Sequence, residues 1–267
     1  MTIQNQFIEG TVHSNHIDNW KKEHELECSF VSSFPRSGNG WIRVVLVALI
    51  LEQVGAVDIK DLDITTEANE KGVTFAVFEY KEKRFKIDAV VPDMYHYKSE
   101  EHNKMLSNIS YAYDKLFKTH HVVKAQQHKV AFLFRRPLDC MVSTSLLFNT
   151  SLLAESPELI NDCVRYFSKY YAELLQFYLQ EKNSSPERCL FLSHERLSSN
   201  SELAIEEFRK LTQFIQMDTS DELLQKALNR FPYKSAYNST YMTHLSEDTK
   251  LFVGEALDAL YEEAMRK

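Results

Sequence analysis

The hydrophobic positions of the chain follow two rhythms. Short, almost wholly apolar runs at residues 28–33, 115–119, 129–134 and 189–193 predict buried strands. Between and after them, longer periodic stretches predict helices over 40–55, from 137 to about 149, and over 157–182, 201–215, 221–230 and 247–266. The first of these helices has almost no polar face, and Gly55 ends it. Pro137 suits a first helical position. The aromatic positions of 157–182, Tyr171 and Tyr178 among them, read as core packing. Residues 73–80 and 84–91 are β-like around Lys81-Glu82-Lys83, a hairpin or a substrate-side excursion. Residues 58–71 are polar and read as irregular, 98–109 as helical, and 231–246 as a polar loop containing tyrosines. The first 27 residues read as a draped or mobile lead-in with a short helix near 19–25.

Strands that alternate with helices predict an α/β fold of three layers, α/β/α, around a central parallel sheet. No interdomain linker is visible, so a single domain over 1–267 is expected. Ligands of such sheets bind beyond the carboxyl ends of the strands. Residues 33–40, 119–121, Arg135 and His194 all follow predicted strands, so they can meet in one crevice although far apart in sequence.

Composition narrows the chemistry. With 267 residues and 44% hydrophobic content the chain can bury a sizeable core. It has no apolar run long enough to span a membrane and no apolar N-terminal signal segment. Cys28, Cys140, Cys163 and Cys189 are scattered, which suits a reducing cytoplasm and argues against a zinc site. A net charge of −7 gives no general attraction to nucleic acid or anionic membranes. An anionic ligand must therefore be held by a local cluster of basic residues.

Residues 29–46, S-F-V-S-S-F-P-R-S-G-N-G-W-I-R-V-V-L, supply such a place: a strand, a glycine-containing loop, then a helix. Unpaired N–H groups and the helix dipole favour an anion there, and Gly38 and Gly40 let the backbone approach it. The spacing is not that of a Walker A loop. The string F-P-R-S-G-N-G-W resembles the 5′-phosphosulfate loop of cytosolic-type sulfotransferases, usually [FY]-P-[KR]-S-G-[TN]-T-W. Arg36, Ser37, Gly38, Asn39 and Trp41 are in register, and Gly40 stands where the family carries a hydroxyl residue. A second string, residues 130–143, places Arg135 at a strand end and Asp139 and Ser143 on one helical face. It resembles the family's 3′-phosphate motif, R-[ND]-P-x-D-x-x-V-S, with Arg136 departing from the usual amide or carboxylate.

The resemblance implies a P-loop NTPase-like fold and a donor, 3′-phosphoadenosine-5′-phosphosulfate (PAPS), with adenosine 3′,5′-bisphosphate (PAP) as product and no metal. It implies Arg36 and the backbone N–H groups of Ser37 to Trp41 around the leaving phosphate. In Lys118-Thr119-His120, matching the family's K-[TS]-H, it implies His120 as general base with Lys118 beside it. His194 either stands in for a tyrosine that reaches the adenine or is a strand-end surface histidine. The family's C-terminal R-K-G triplet is missing; Lys234-Ser235-Ala236 falls in its place, with Lys234 as the cation, and Tyr241 in that of a following tryptophan. Residues 58–108 match nothing in the family and are expected to shape acceptor choice. The acidic composition points to a small polar or cationic acceptor. The alternatives are a P-loop-type phosphotransferase and a nucleotide-binding protein without turnover.

Overall fold

The computed structural model describes residues 28–68, 74–94, 116–199, 201–234 and 239–267. In chain order its elements are β1 (Ser29–Ser33), α1 (Asn39–Gln53), β2 (Ile64–Ala68), β3 (Thr74–Tyr80), β4 (Lys83–Lys86), β5 (Leu116–Thr119), β6 (Lys129–Phe134), α2 (Pro137–Glu155), α3 (Ile160–Ser184), β7 (Cys189–Ser193), α4 (His194–Leu197), α5 (Glu202–Phe214), α6 (Asp221–Arg230) and α7 (Glu247–Met265). Short 3-10 turns lie at Ile87–Ala89, Pro157–Leu159 and Ser239–His244.

A four-stranded parallel sheet, ordered β5-β1-β6-β7, forms the middle layer. Its strands are apolar on both faces because both are covered. Side chains alternate across it: Phe30, Val130 and Phe132 face α2, α3 and α7, whereas Val31, Ala131 and Leu133 face α1, α5 and α6. The expected three-layer α/β/α arrangement is therefore the observed one. Helix α1 leaves β1 toward one face and α2 leaves the adjacent β6 toward the other. Their chain directions diverge at the carboxyl ends of these strands, which opens a crevice there. The register pairs Ser32 with Thr119, Ser33 with Leu133, and Phe134 with Ser193. The carboxyl end of the sheet thus presents Arg36, His120, Arg135 and His194.

Helix α1 is buried nearly all round, from Ile42 to Leu51. It lies between the parallel sheet and a second, antiparallel sheet ordered β2-β3-β4, which contributes Phe78 to the same core. Two expectations for that region need correction. Residues 58–71 are not wholly irregular, because Ile64–Ala68 forms an outer strand paired to β3. Its polar sequence, I-T-T-E-A, reflects the exposure of an edge strand. Residues 84–91 are not one strand: β4 ends at Lys86, and the Ile87 carbonyl captures the N–H groups of Val90 and Val91 in a tight turn. Lys81 and Glu82 turn the β3–β4 hairpin with φ of 49° and 62°, a two-residue primed turn formed without the usual Asn-Gly signal. The helices expected near 19–25 and over 98–109 lie outside the described residues. All four cysteines are buried free thiols. No helix among the described residues is long and apolar enough to cross a membrane.

Candidate active site

The loop between β1 and α1 turns on two residues in the left-handed region, Arg36 at φ 66° and Gly38 at φ 92°. Arginine adopts that conformation at a cost of about 1–2 kcal/mol, so the surrounding contacts must hold it there. They do: the Arg36 carbonyl accepts a hydrogen bond from Arg135 Nη1 at 2.8 Å, and Arg36 Nε donates to Ser143 Oγ at 3.1 Å. Gly38 is required for a second reason. A Cβ there would lie 2.6 Å from His194 Cδ2. Gly38 is also the N-cap of α1 and offers no side-chain oxygen to its first N–H groups. In front of Gly40 the space is open, with nothing within 4 Å of an added Cβ.

The backbone donors are fewer than the run from Ser37 to Trp41 predicts. The Ser37 N–H donates to the Phe34 carbonyl at 3.3 Å and the Trp41 N–H to the Gly38 carbonyl at 3.1 Å. Both bonds close within the loop and the first turn of α1. The Ser37 hydroxyl is buried against Cys140 Sγ at 3.4 Å. Asn39 also turns inward, its Nδ2 donating to Ser33 Oγ at 2.8 Å. Burial pushes the Cys140 thiol up to about 11, so it stays protonated beneath the loop.

Arg135 and Ser143 are brought to the same corner as Arg36, from the end of β6 and the second turn of α2. Arg135 is itself clamped by Tyr171 of α3, whose hydroxyl accepts from the Arg135 N–H at 2.9 Å and donates to its carbonyl at 2.6 Å. Asp139 lies at the same helix start, half-buried, 3.9 Å from Arg136 Nη1.

His120 follows β5 on the neighbouring side of β1. Its Nδ1 sits 2.7 Å from the Ser33 carbonyl, which can only accept, so Nδ1 carries the proton and Nε2 the lone pair. Burial and the adjacent Lys118 charge hold its pKa down at about 3. His121 is buried, and its carbonyl accepts from Ser32 Oγ at 3.3 Å. Lys118 does not project into open space. Its ammonium is buried against Asp93, Nζ to Oδ2 2.5 Å.

On the far side of the loop, His194 Nε2 lies 3.2 Å from the Tyr233 hydroxyl, and the two rings meet edge-to-face with centroids 5.1 Å apart. His194 is buried, not a strand-end surface histidine. Trp41 lies edge-on to Tyr233 at 5.3 Å, its indole N–H donating to the Phe231 carbonyl at 2.7 Å. Lys234 follows Tyr233 and is exposed, while residues 235–238 lie outside the described part. Tyr241 packs elsewhere, its hydroxyl 3.5 Å from the Leu153 carbonyl near the end of α2.

Four participants were not assigned a role from the sequence. Tyr171 is the core aromatic it was expected to be, yet its hydroxyl holds Arg135; only contact geometry separates these roles. Tyr233 sat in a loop without a motif. Glu195 accepts from the Arg136 N–H at 2.8 Å and from the Tyr261 hydroxyl at 3.1 Å. Burial opposes its ionisation, but the hydrogen bonds from His194 and Arg136 prevail and hold its pKa at about 2. Asp93 reaches the site from a segment whose register no local pattern encodes.

Comparison with known proteins gives a consistent result. The sulfotransferase domain family model matches residues 27–265. A search of curated proteins finds no match. Solved structures similar to the chain include the sulfotransferase domain from the Synechococcus PCC 7002 olefin synthase, at 12% identity and TM-score 0.41, covering 90% of this chain and 94% of that one. They also include the sulfotransferase STF9 from Mycobacterium avium, at 11% identity and TM-score 0.45, covering 91% and 81%. A family model spanning nearly all of the chain from Cys28 onward decides the matter: this protein belongs to the sulfotransferase family.

Proposed function

We propose that this sulfotransferase takes its sulfuryl group from 3′-phosphoadenosine-5′-phosphosulfate and passes it to a hydroxyl or amine of a small-molecule acceptor, with His120 as the general base. The observation that carries the reading is the convergence of Arg36, Arg135 and Ser143 on one corner, beside a helix N-terminus and the neutral His120. These residues fit the donor: guanidinium groups and a hydroxyl suit its phosphates, and the open front of Gly40 leaves room for them. His194, Trp41 and Tyr233 form an aromatic wall on the side where an adenine would lie. Exposed Lys234 can swing toward the 3′-phosphate.

When bound, the donor supplies an activated sulfur, whose bond to the 5′-phosphate oxygen breaks as the bond to the acceptor atom forms. Arg36 and the Asn39 and Gly40 N–H groups stabilise the negative charge left on that phosphate. Nε2 of His120 takes the acceptor proton, and the Ser33 carbonyl holds the ring in the tautomer this requires. The net charge of −7 favours a polar or cationic acceptor over a polyanionic glycan. The chain is read as one unit acting in the cytoplasm without a metal. The test is acceptor-dependent release of adenosine 3′,5′-bisphosphate from the donor across a panel of phenols, alcohols and amines. Release with a small acceptor supports the reading. Turnover of sulfated glycan chains alone overturns the acceptor class, and bisphosphate binding without any release makes the protein a binder.

A further inference from the structure

Resting on that reading of the reaction, we propose that Asp93 is a positioning residue for it, whose carboxylate holds the Lys118 ammonium charged and fixed beside His120. Lys118 Nζ and Asp93 Oδ2 are 2.5 Å apart, with side chains only 8% and 13% exposed. A buried ammonium without a counter-charge either loses its proton or leaves its place. Asp93 therefore decides whether a cation exists at this point of the site.

The carboxylate is fixed by a relay that starts on α1. Pro92 and Asp93 run parallel to β5 at its outer edge: the Lys118 N–H donates to the Pro92 carbonyl at 2.8 Å, and Asp93 pairs with Lys118 in an isolated bridge. The preceding turn is held from α1. Arg43, the one charged residue in the buried part of that helix, pairs with Asp88 at 2.8 Å. It also donates to the Val91 carbonyl from Nε at 3.1 Å and Nη2 at 2.7 Å. The Asp93 N–H donates in turn to Asp88 Oδ1 at 3.3 Å. The helix whose N-terminus faces the donor corner thus also locks the segment that supplies the counter-ion of Lys118.

The charged groups acting on Lys118 are Asp93, Arg43 and Asp88; His120 lies two residues further along the same segment. Burial pushes the lysine pKa down, Arg43 adds to this, and Asp93 opposes both. Burial would raise the Asp93 carboxyl, but Lys118 outweighs it and holds the group at about 2. Removing the carboxylate charge must therefore lower the Lys118 midpoint. Burial first, and the Lys118 charge second, keep His120 unprotonated, so the alkaline limb reports the Lys118 cation itself: turnover that needs that cation should fail at a lower pH once Asp93 is neutral.

The experiment compares wild type, Asp93→Asn and Asp93→Glu. Lysine side-chain NMR without substrate, with Lys118 assigned through Lys118→Met, reads its ionisation midpoint directly. Turnover against pH and calorimetry with adenosine 3′,5′-bisphosphate complete the set. Asp93→Asn should lower the Lys118 midpoint by at least about one pH unit and move the alkaline limb of turnover down with it. It should reduce turnover roughly 10- to 100-fold and leave bisphosphate affinity within about twofold, and Asp93→Glu should restore the limb. An unmoved lysine midpoint overturns this inference alone. A moved midpoint with an unmoved limb also overturns it, since the charge would then serve folding and not turnover. If Asp93→Asn does not fold, Asp93→Glu with a wild-type midpoint and limb supports the inference, and a displaced midpoint without a matching limb overturns it. Failure of the wild type to bind the bisphosphate overturns the donor reading instead, and the midpoint shift still reports whether Asp93 sets the state of Lys118.

Discussion

The two sides of β1 build a charged site in opposite ways. On the β6 side, the donor corner brings Arg36 and Arg135 together through neutral groups: Arg135 donates to the Arg36 carbonyl and Arg36 to the Ser143 hydroxyl. On the β5 side, Lys118 is matched one-to-one by Asp93 and removed from water. Two guanidinium groups gathered beside a helix N-terminus suit an anion. A compensated, buried lysine holds its place and tunes its neighbour. On the proposed reading, one corner receives charge and the other holds charge still while a proton moves.

The largest effect should come from the β5 side. His120→Ala is expected to lower turnover about 10²- to 10⁴-fold with little change in bisphosphate affinity, measured by steady-state kinetics and calorimetry. His121→Ala should be much milder in turnover, because His120 and not His121 stands in the motif's base position and the substitution keeps the carbonyl that Ser32 binds. The reverse ranking would exchange the two histidines and break the division of labour.

Next comes the donor corner. Arg135→Ala should weaken adenosine 3′,5′-bisphosphate more than the analogue without the 3′-phosphate, by about 1.5–3 kcal/mol or roughly ten- to hundred-fold. Ser143→Ala should cost less, about 0.5–1.5 kcal/mol, since it removes a neutral hydroxyl that also steadies Arg36. Equal losses for both ligands would detach this corner from the 3′-phosphate.

A smaller effect lies in the pH dependence of stability. The folded-state pKa of His120, about 3, is below the ordinary imidazole value near 6.5. On acidification the unfolded chain takes up the proton first, so stability is lost as pH falls from about 6.5 toward 3. By pH 5 the loss from this group should be about 1–2 kcal/mol in urea unfolding, and His120→Gln should remove it.

The smallest effect concerns Gly40, whose open front accepts a side chain. Gly40→Ser should stabilise the fold by less than about 1 kcal/mol through reduced backbone freedom in α1. It should also tighten the bisphosphate a few-fold, and calorimetry showing weaker binding would mean the loop front is not where a phosphate sits.

The contrast between the two sides also explains what was legible in the sequence. The donor corner is written in contiguous strings, because a strand, a loop and a helix start must be adjacent to cradle a phosphate; Gly38 and Pro137 mark it directly. The parallel sheet was readable from four mostly apolar runs, since burial on both faces leaves few polar positions away from the strand ends. The β5 side was half legible. His120 and Lys118 follow a motif, but Asp93 joins them through one bridge across a turn that Arg43 holds, and a lone aspartate in an acidic chain carries no signal. Strand β2 was missed because an exposed edge strand needs no hydrophobic alternation. The pairing of the Ser37 and Trp41 N–H groups within the loop and the first turn of α1 was invisible because it depends on loop tightness, not on residue type. Tyr233 reaches Trp41 and His194 from a segment without periodicity.

The most direct test of the donor assignment is isothermal calorimetry of the intact chain with adenosine 3′,5′-bisphosphate, set against adenosine 5′-monophosphate and against ATP with magnesium. Arg135 and Ser143 predict that the bisphosphate binds at least about tenfold more tightly than the monophosphate, and that ATP with magnesium does not compete effectively. Equal affinity for the two adenosine ligands, or tighter binding of ATP with magnesium, would contradict it.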